Sequence, residues 1–480
     1  MADSGNEAAG TATRSGAGSR SGEELSVDTD AGAESSTGAE TGSGFGEELS
    51  AGTEVGAGSA FLSRDFRLFQ TARLLSVLGS EAQAIAVAWQ VYQITHSALA
   101  LGLTGLAQFA PVILFMLAAG HVADRYDRRR IILVCYAAQA VCSVALLSFA
   151  LHPSGHVWPI YAVLFGYGVA RAFGSPASSA LLPSLVPKHH FVNAVTWGAI
   201  VFQSSNIAGP ALGGLLITLR LTGALARWDG AAVVYVFNLM MLAAFLTLVS
   251  AMRTRSVSAV KNAFNLETVL AGFRYVLEAR LLLGSISLDL FAVLLGGATA
   301  LLPIFATQIL HAGPQAFGVL RAMPAVGAVA VSLALTVWPI QRRAGKKMLV
   351  CVGLFGAATV VFGLSHTMWL SVLALITVGA SDTVSVVIRA SILQLATPPE
   401  MRGRVSAVNG LFIGASNEFG AFESGLTAHW WGAVRAVVLG GIGSMVVTGA
   451  AATLFPALRK ADTLTADALI ALNRRESEQF

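Results

Sequence analysis

Long apolar stretches alternate with short polar segments over most of this chain. About twelve runs of roughly 20 residues carry few charges, and that length takes a helix across the roughly 30 Å hydrocarbon core of a bilayer. Because lipid offers no partner for an unpaired backbone group, each run is predicted to be a helix. The predicted spans are 67–94, 98–120, 131–151, 157–180, 191–219, 231–252, 281–309, 316–340, 347–365, 369–391, 405–428 and 432–456.

Composition supports an all-α membrane protein. Of the 480 residues, 55% are hydrophobic and 12% are charged, about half the charged share of a soluble domain. The chain shows no phosphate-binding glycine loop, metal cluster or nucleophile elbow, so we expect no enzyme activity, cofactor or metal. Cys135, Cys142 and Cys351 fall inside predicted spans and are expected to be reduced packing residues.

The basic residues predict the orientation. One set of alternate loops carries Arg125, Arg128, Arg129, Arg130, Lys188, Arg253, Arg255, Lys261, Arg274, Arg280, Arg342, Arg343, Lys346, Lys347, Arg402 and Arg404. The other loops carry only Arg220, Arg227 and Arg435. By the positive-inside rule the first set is cytoplasmic, and an even number of spans places both termini there. The net charge of +4 then reflects loops facing anionic lipid rather than nucleic acid.

The turn between the second and third spans is the most informative motif. Residues 120–130 read Gly-His-Val-Ala-Asp-Arg-Tyr-Asp-Arg-Arg-Arg, which resembles the loop signature of the major facilitator superfamily. The resemblance implies that Asp124 meets the start of the eleventh span, where the helix dipole favours an acid. The motif is therefore predicted to form a cytoplasmic latch that stabilises an outward-open state. Its residues are Gly120, Asp124, Arg125, Arg128, Arg129 and Arg130. The alternative is that these arginines reflect only the general excess of basic residues in cytoplasmic loops and form no latch.

The resemblance implies a major facilitator fold of about 12 helices in two six-helix halves. We divide the chain into an acidic, low-complexity cytoplasmic tail (1–60), an N-terminal half (61–252), a cytoplasmic linker with an amphipathic surface helix (253–280), a C-terminal half (281–456) and a C-terminal cytoplasmic tail (457–480). The N-terminal tail is expected to be disordered, either without a role in transport or as a regulatory segment. Gly168 and Gly379 open comparable stretches of the two halves.

The fifth predicted span contains Gly209-Pro210-Ala211-Leu212-Gly213-Gly214. Proline removes a backbone donor and kinks a helix, and the glycines permit close packing. This stretch resembles the antiporter motif of proton-coupled drug exporters. Ser205 departs from it, since the motif prefers glycine there. A Gly-Pro kink without an antiport role is the alternative.

Polar groups inside the spans are the candidate site, because burying them in lipid is costly. A carboxyl in a low-dielectric cavity holds its proton more readily than in water, as a proton carrier requires. The residues predicted to line a substrate or proton pathway are Glu81, Gln90, Arg171, Asn206, Asp289 and Glu418. Asp382, Arg389 and Arg321 are expected to be structural. Trp89 and Tyr92 either line the cavity or belong to an interfacial aromatic belt.

Several segments resemble the enterobactin-exporter-like branch of the superfamily, which also holds macrolide efflux pumps. They are Arg73 to Ser76, Trp89 to Tyr92, the turn at 120–130, Asp289 to Phe291, and Glu400 to Ser406. The resemblance implies a monomeric, multi-pass plasma (inner) membrane exporter of a siderophore-like or drug-like organic molecule, coupled to protons. A metabolite uniporter or importer on the same scaffold, or a lipid-handling membrane protein, is the alternative.

Overall fold

The computed structural model describes residues 59–153, 155–187, 190–219, 230–254, 266–340, 342–463, 465 and 469. Nearly all of them lie in helices. The helices are α1 (Arg64–Thr95), α2 (Ala98–Arg125), α3 (Arg128–Leu151), α4 (Trp158–Leu181), α5 (Phe191–Ile217), α6 (Gly230–Ser250), α7 (Leu266–Glu278), α8 (Arg280–Gly296), α9 (Gly313–Val337), α10 (Ala344–Leu364), α11 (Met368–Ala396), α12 (Pro399–Trp431), α13 (Ala433–Leu454) and α14 (Pro456–Lys460). The predicted tail at 1–58 lies outside the described residues.

The bundle confirms the all-helical membrane fold. Ten of the described helices are long and apolar enough to cross a bilayer by length and composition. Of the twelve long helices, α4 and α12 are not among those ten. They carry polar groups along their length, including Arg171 on α4 and Glu418 on α12.

The apolar core is continuous at one end of the bundle and divided at the other. We call the end that carries the α2–α3 turn, α7 and the start of α12 the basic end, and the other the distal end. A single cluster at the distal end joins side chains of both halves, such as Ile85 and Tyr235 with Phe305 and Phe317. At the basic end each half has its own cluster. Among the described residues, the buried apolar contacts between the halves therefore lie toward the distal end.

Corresponding glycines pack in the same way in the two halves, which supports the predicted repeat. A Cβ atom at Gly168 of α4 would collide with the Gln108 carbonyl oxygen of α2, and one at Gly379 of α11 would collide with the Pro324 carbonyl oxygen of α9. In each half, glycine thus lets two helices meet backbone to backbone.

The seventh predicted span, 281–309, is not one regular helix. α8 ends at Gly296, and a 3₁₀ turn (Ala298–Leu301), a short α turn (Leu302–Ile304) and a π turn (Phe305–Ile309) complete the crossing. Pro303 lies within this stretch, where it removes a backbone donor. A Cβ atom at Gly297 would lie 3.0 Å from the Gly420 carbonyl carbon, so this segment also approaches α12 closely.

The linker does contain the predicted helix, α7 (Leu266–Glu278). It packs on α12: a Cβ atom at Gly272 would lie 2.9 Å from the Arg404 carbonyl oxygen, and the ring of Phe273 stacks on Phe412 with centroids 6.0 Å apart. Leu270 remains exposed, as a membrane-surface helix requires. Linker residues 255–265 lie outside the described part of the chain.

Candidate substrate and proton pathway

The crossing of α2 and α12 closes the distal end of the space between the halves. A Cβ atom at Gly102 would lie 3.0 Å from the Ala421 carbonyl oxygen, and one at Gly425 would lie 2.7 Å from the Ala98 carbonyl oxygen. Only glycine allows two helix backbones to approach this closely. Side chains cannot separate the two helices here.

The crossing of α5 and α9 closes the same end on the other side. A Cβ atom at Gly318 would lie 2.5 Å from the Pro210 carbonyl oxygen, and one at Gly214 would lie 2.7 Å from the Pro314 carbonyl oxygen. These contacts use the Gly-Pro motif of α5. Pro210 and Gly214 face the C-terminal half, and a Cβ atom at Gly209 or Gly213 would meet α1.

Tyr92 also joins the halves at the distal end. Its hydroxyl accepts hydrogen bonds from Thr307 Oγ1 at 3.1 Å and Gln308 Nε2 at 2.7 Å. The side chain is only 2% exposed, so the aromatic-belt interpretation is wrong for Tyr92.

At the basic end the same helices diverge. Gly414 of α12 still faces Phe109 of α2, with 3.1 Å from its Cβ position to the ring. One turn nearer the basic end, a Cβ atom at Gly410 would meet nothing within 4 Å. Gln203 Nε2 of α5 donates a hydrogen bond to the Ala325 carbonyl oxygen of α9. Two turns nearer the basic end, Val195 of α5 and Leu333 of α9 are both exposed. The path between the halves is therefore open toward the basic end.

Glu418 lies where the open path meets the distal closure. Its Oε2 atom is 2.8 Å from the Cβ position of Gly105 on α2, so the carboxylate rests against the other half. Two arginines act on it electrostatically: Arg171 from α4 of the N-terminal half and Arg321 from α9 of its own half. Glu418 thus interacts with charges from both halves.

Glu81 lies nearby, on α1. Its Cβ is 2.5 Å from the Cβ position of Gly209, so the Gly-Pro motif packs α5 directly against α1 at Glu81. Glu81 and Arg171 both interact electrostatically with Tyr167 of α4. The Tyr167 hydroxyl donates a hydrogen bond to Ser80 Oγ at 3.1 Å. Tyr167 thus lies within electrostatic range of both Glu81 and Arg171, the arginine that also acts on Glu418.

Of the predicted pathway residues, Arg171 acts electrostatically on Glu418, and both Arg171 and Glu81 act on Tyr167. Asn206 lies on the face of α5 between Gln203 and Pro210, which both contact α9. Gln90 does not line this path, since it is buried and accepts a 2.6 Å hydrogen bond from the Tyr235 hydroxyl within the N-terminal half.

Asp289 lies elsewhere, inside the C-terminal half. Arg389 Nη1 donates to Asp289 Oδ2 in a buried ion pair. This contact joins α8 to α11 and does not involve the N-terminal half. Asp289, which was predicted to line the pathway because it lies inside a predicted span, is therefore part of an ion pair within the C-terminal half.

The arginines of the predicted latch bond within their own half in this conformation. Arg128 Nη1 donates to the Ala180 carbonyl oxygen at 2.8 Å, and Arg129 Nε donates to that of Val249 at 3.0 Å. These carbonyls lie at the ends of α4 and α6, where the last helical carbonyls lack intrahelical partners. Arg125 and Arg130 are exposed, Gly120 lies in the last turns of α2, and the Asp124 side chain lies outside the described residues. The latch between the halves stays a prediction.

Sequence reasoning missed several elements of the path. Arg321, expected to be structural, acts on Glu418, and Tyr167 and Gly105 were not selected. The pair Ala98 and Gly102, four residues apart, was a usable signal, since small residues at this spacing are typical of close helix contacts. Within the described residues, no group of three or more His, Cys, Asp or Glu could hold a metal ion.

Together with the match to a family model, the helical bundle with a path between two halves identifies a transporter of the major facilitator superfamily rather than an enzyme. The model of the transmembrane secretion effector family matches residues 56–479, and the chain belongs to that family.

Curated relatives are similar over most of their length. The chain is 27% identical to the enterobactin exporter EntS of Citrobacter koseri over 392 residues, covering 81% of this chain and 88% of that protein. It is 26% identical to EntS of Escherichia coli O81 (strain ED1a), covering 81% of this chain and 87% of that protein.

Solved structures share the fold at lower identity. A bacterial homologue of the human lysosomal transporter Spinster, in an inward-facing and unoccupied conformation, superposes with a TM-score of 0.63 at 14% identity, covering 85% of this chain and 98% of the other. The nucleoside transporter NupG gives a TM-score of 0.61 at 14% identity, covering 82% of this chain and all of the other.

Proposed function

We propose that this protein exports a small organic molecule, siderophore-like or amphipathic and drug-like, in exchange for protons. The observation that carries the proposal is Glu418, an acid at the junction of the halves that interacts with an arginine from each of them. A titratable group at this position changes its surroundings when the halves move, as proton coupling requires. The similarity to enterobactin exporters supports export.

Alternating access follows from the same geometry. The excess of basic residues in one set of loops supports a cytoplasmic position for the basic end, in a bacterial inner membrane with both termini on that side. The conformation is then inward-facing, and substrate enters from the cytoplasm between α2 and α12 and between α5 and α9. Protonation of Glu418 from outside weakens its attraction to Arg171 and Arg321 and favours release of the substrate there. The protein works as a monomer, since the whole path lies within one chain.

The test uses everted membrane vesicles with an imposed acidic interior and a pH-sensitive dye. Siderophores and cationic or macrolide drugs are added in turn. We expect a probe-dependent proton leak that is lost in Glu418→Gln and kept in Glu278→Gln, a matched change at an exposed acid of α7. Substrate flux without proton movement would replace the antiporter with a facilitator on the same fold. Proton leak that persists undiminished in Glu418→Gln would remove that acid from the mechanism.

A further inference from the structure

The chain that follows α13 is held against the start of α10. We call residues 456–463, which begin with α14, the C-terminal strap. The Gly345 amide donates a hydrogen bond to the Ala461 carbonyl oxygen at 2.9 Å. The Ala344 amide donates to the Asp462 carbonyl oxygen at 3.3 Å. The strap is thus bound to the turn between α9 and α10 through its backbone.

Close packing fixes the same contact. A Cβ atom at Gly345 would collide with the Leu458 carbonyl oxygen, so glycine is required where the strap crosses α10. Leu458 is fully buried and belongs to the apolar cluster of the C-terminal half at the basic end. Arg342 and Thr463 extend the contact as an antiparallel bridge. The strap is therefore a fixed part of the C-terminal half.

The start of α10 needs acceptors from another part of the chain. The first amides of a helix have no intrahelical acceptor, and a side chain at the N-cap often satisfies one of them. Asp127 does so at the start of α3, where its carboxylate accepts from the Arg129 amide at 2.9 Å. The N-cap residue of α10 is Arg343, whose side chain carries no acceptor. The carbonyl oxygens of the strap satisfy these amides instead.

The strap also gathers positive charge at one edge of the basic end. The turn between α9 and α10 contributes four exposed basic residues, and the strap contributes two more. They are Arg342, Arg343, Lys346, Lys347, Arg459 and Lys460. Among the described residues of the turn and the strap, Asp462 is the only acid. The backbone contacts therefore hold like charges near one another, and an anion among them reduces their repulsion.

Apolar side chains beside this surface indicate its level in the membrane. Trp338 follows α9, four residues before Arg342, and is 74% exposed. Leu454 ends α13, five residues before Arg459, and is 68% exposed. On a membrane-spanning bundle such side chains face lipid, and tryptophan prefers the level of the headgroups. The basic residues that follow in each segment then lie where lipid phosphates are found.

We propose that the C-terminal strap and the turn between α9 and α10 form a binding surface for an anionic phospholipid of the leaflet at the basic end. The phosphate lies among the basic side chains of both segments, and the acyl chains lie against Trp338 and Leu454. The bound lipid stabilises the strap on α10, because it offsets the repulsion between the two sets of charges. This surface is independent of the substrate and of the coupling ion.

The test measures how firmly the strap is bound in two lipids. Purified full-length protein is placed in nanodiscs of phosphatidylcholine alone or of phosphatidylcholine with phosphatidylglycerol, and amide hydrogen exchange is followed by mass spectrometry. The reporter is the peptide that contains Ala344 and Gly345, whose amides bond to the strap. We expect phosphatidylglycerol to slow its exchange by about 5-fold, roughly the effect of one basic residue at an anionic surface.

Two variants separate this surface from the rest of the basic end. Lys347→Gln with Arg459→Gln removes one charge from each segment and should abolish most of the lipid effect. Arg67→Gln with Arg130→Gln removes two exposed arginines at the basic end of the N-terminal half and should leave the effect unchanged. In Gly345→Ala the strap is displaced, so the reporter peptide should exchange quickly in both lipids.

Other results would overturn the proposal. Equal exchange of the wild type in the two lipids would show that the strap does not respond to an anionic headgroup. The full lipid effect in Lys347→Gln with Arg459→Gln would place the lipid elsewhere. The same slowing by inorganic phosphate in phosphatidylcholine nanodiscs would make this a site for a free anion instead. None of these measurements requires transport, so a failed export assay would refute the proposed function and leave the lipid surface intact.

Discussion

The closest contact between the halves predicts a large effect from a single methyl group. In Gly318→Ala the new Cβ would lie 2.5 Å from the Pro210 carbonyl oxygen and 2.9 Å from the Gly214 Cα. Carbon and oxygen atoms in close helix contacts are normally about 3.3–3.6 Å apart. Both neighbours are backbone atoms, so no side-chain rotation relieves the clash. α5 and α9 must separate at the distal end, where they hold the path closed.

The magnitude follows from the size of the overlap. Inserting a methyl group into a tightly packed contact costs about 1–3 kcal/mol. This cost falls only on the conformation in which α5 and α9 touch, since the open distal end has no such contact. The ratio of distally closed to distally open molecules should therefore fall by about 5- to 150-fold.

Paired spin labels measure this ratio. Two pairs of exposed residues are replaced by labelled cysteine in a chain without its native cysteines. The distal pair is His152 and His366, in distal loops of opposite halves. The basic pair is Arg130 and Lys346, at the basic end of opposite halves. We expect Gly318→Ala to lengthen the distal distance and shorten the basic one.

A glycine in open space is the matched control for this change. A Cβ atom at Gly410 would meet nothing within 4 Å, so Gly410→Ala should leave the closed population at least as large as in the wild type. If Gly318→Ala and Gly410→Ala gave the same distance distributions, the backbone contact would not hold the distal end closed, and the reasoning would fail.

Three further predictions concern other contacts. Tyr92→Phe loses the two hydrogen bonds accepted from the π turn, about 0.5–1.5 kcal/mol each, and should lengthen the distal spin-label distance; an unchanged distance would contradict its role in closure. Arg389→Gln leaves Asp289 without its partner and should destabilise the protein by about 3–5 kcal/mol, seen as a lower thermal unfolding midpoint that Asp289→Asn in the same chain largely restores. Arg129→Gln loses a charged hydrogen bond to the Val249 carbonyl, about 1.5–3 kcal/mol, and should also lower the midpoint; equal midpoints would refute the stabilising contact.

The helices and their order were predictable because hydrocarbon leaves the backbone few alternatives. An apolar run of sufficient length must satisfy its own hydrogen bonds. The break after Gly296 was not predictable in the same way, since it depends on the close approach of Gly297 to α12. Gly420, its partner there, lies more than a hundred residues away in sequence. Apolar composition alone indicates nothing of that contact.

Depth in the membrane was a good guide to which groups are buried and a poor guide to their partners. Glu418 and Asp289 both fall inside predicted spans, yet the first faces the other half and the second pairs with Arg389. The direction in which a side chain leaves its helix depends on how that helix is rotated against its neighbours.

The contacts of α9 determine which interface must change when the distal end opens. On one side, α9 meets α11, where the Pro324 carbonyl oxygen leaves no room for a Cβ atom at Gly379. On the other side, α9 meets α5 through Gly318. The first contact lies within the C-terminal half, where α11 is also held to α8 by the Asp289–Arg389 ion pair. The second involves no ion pair within the described residues. We therefore expect opening to separate α5 from α9, which belong to different halves, and to move α9 together with α11.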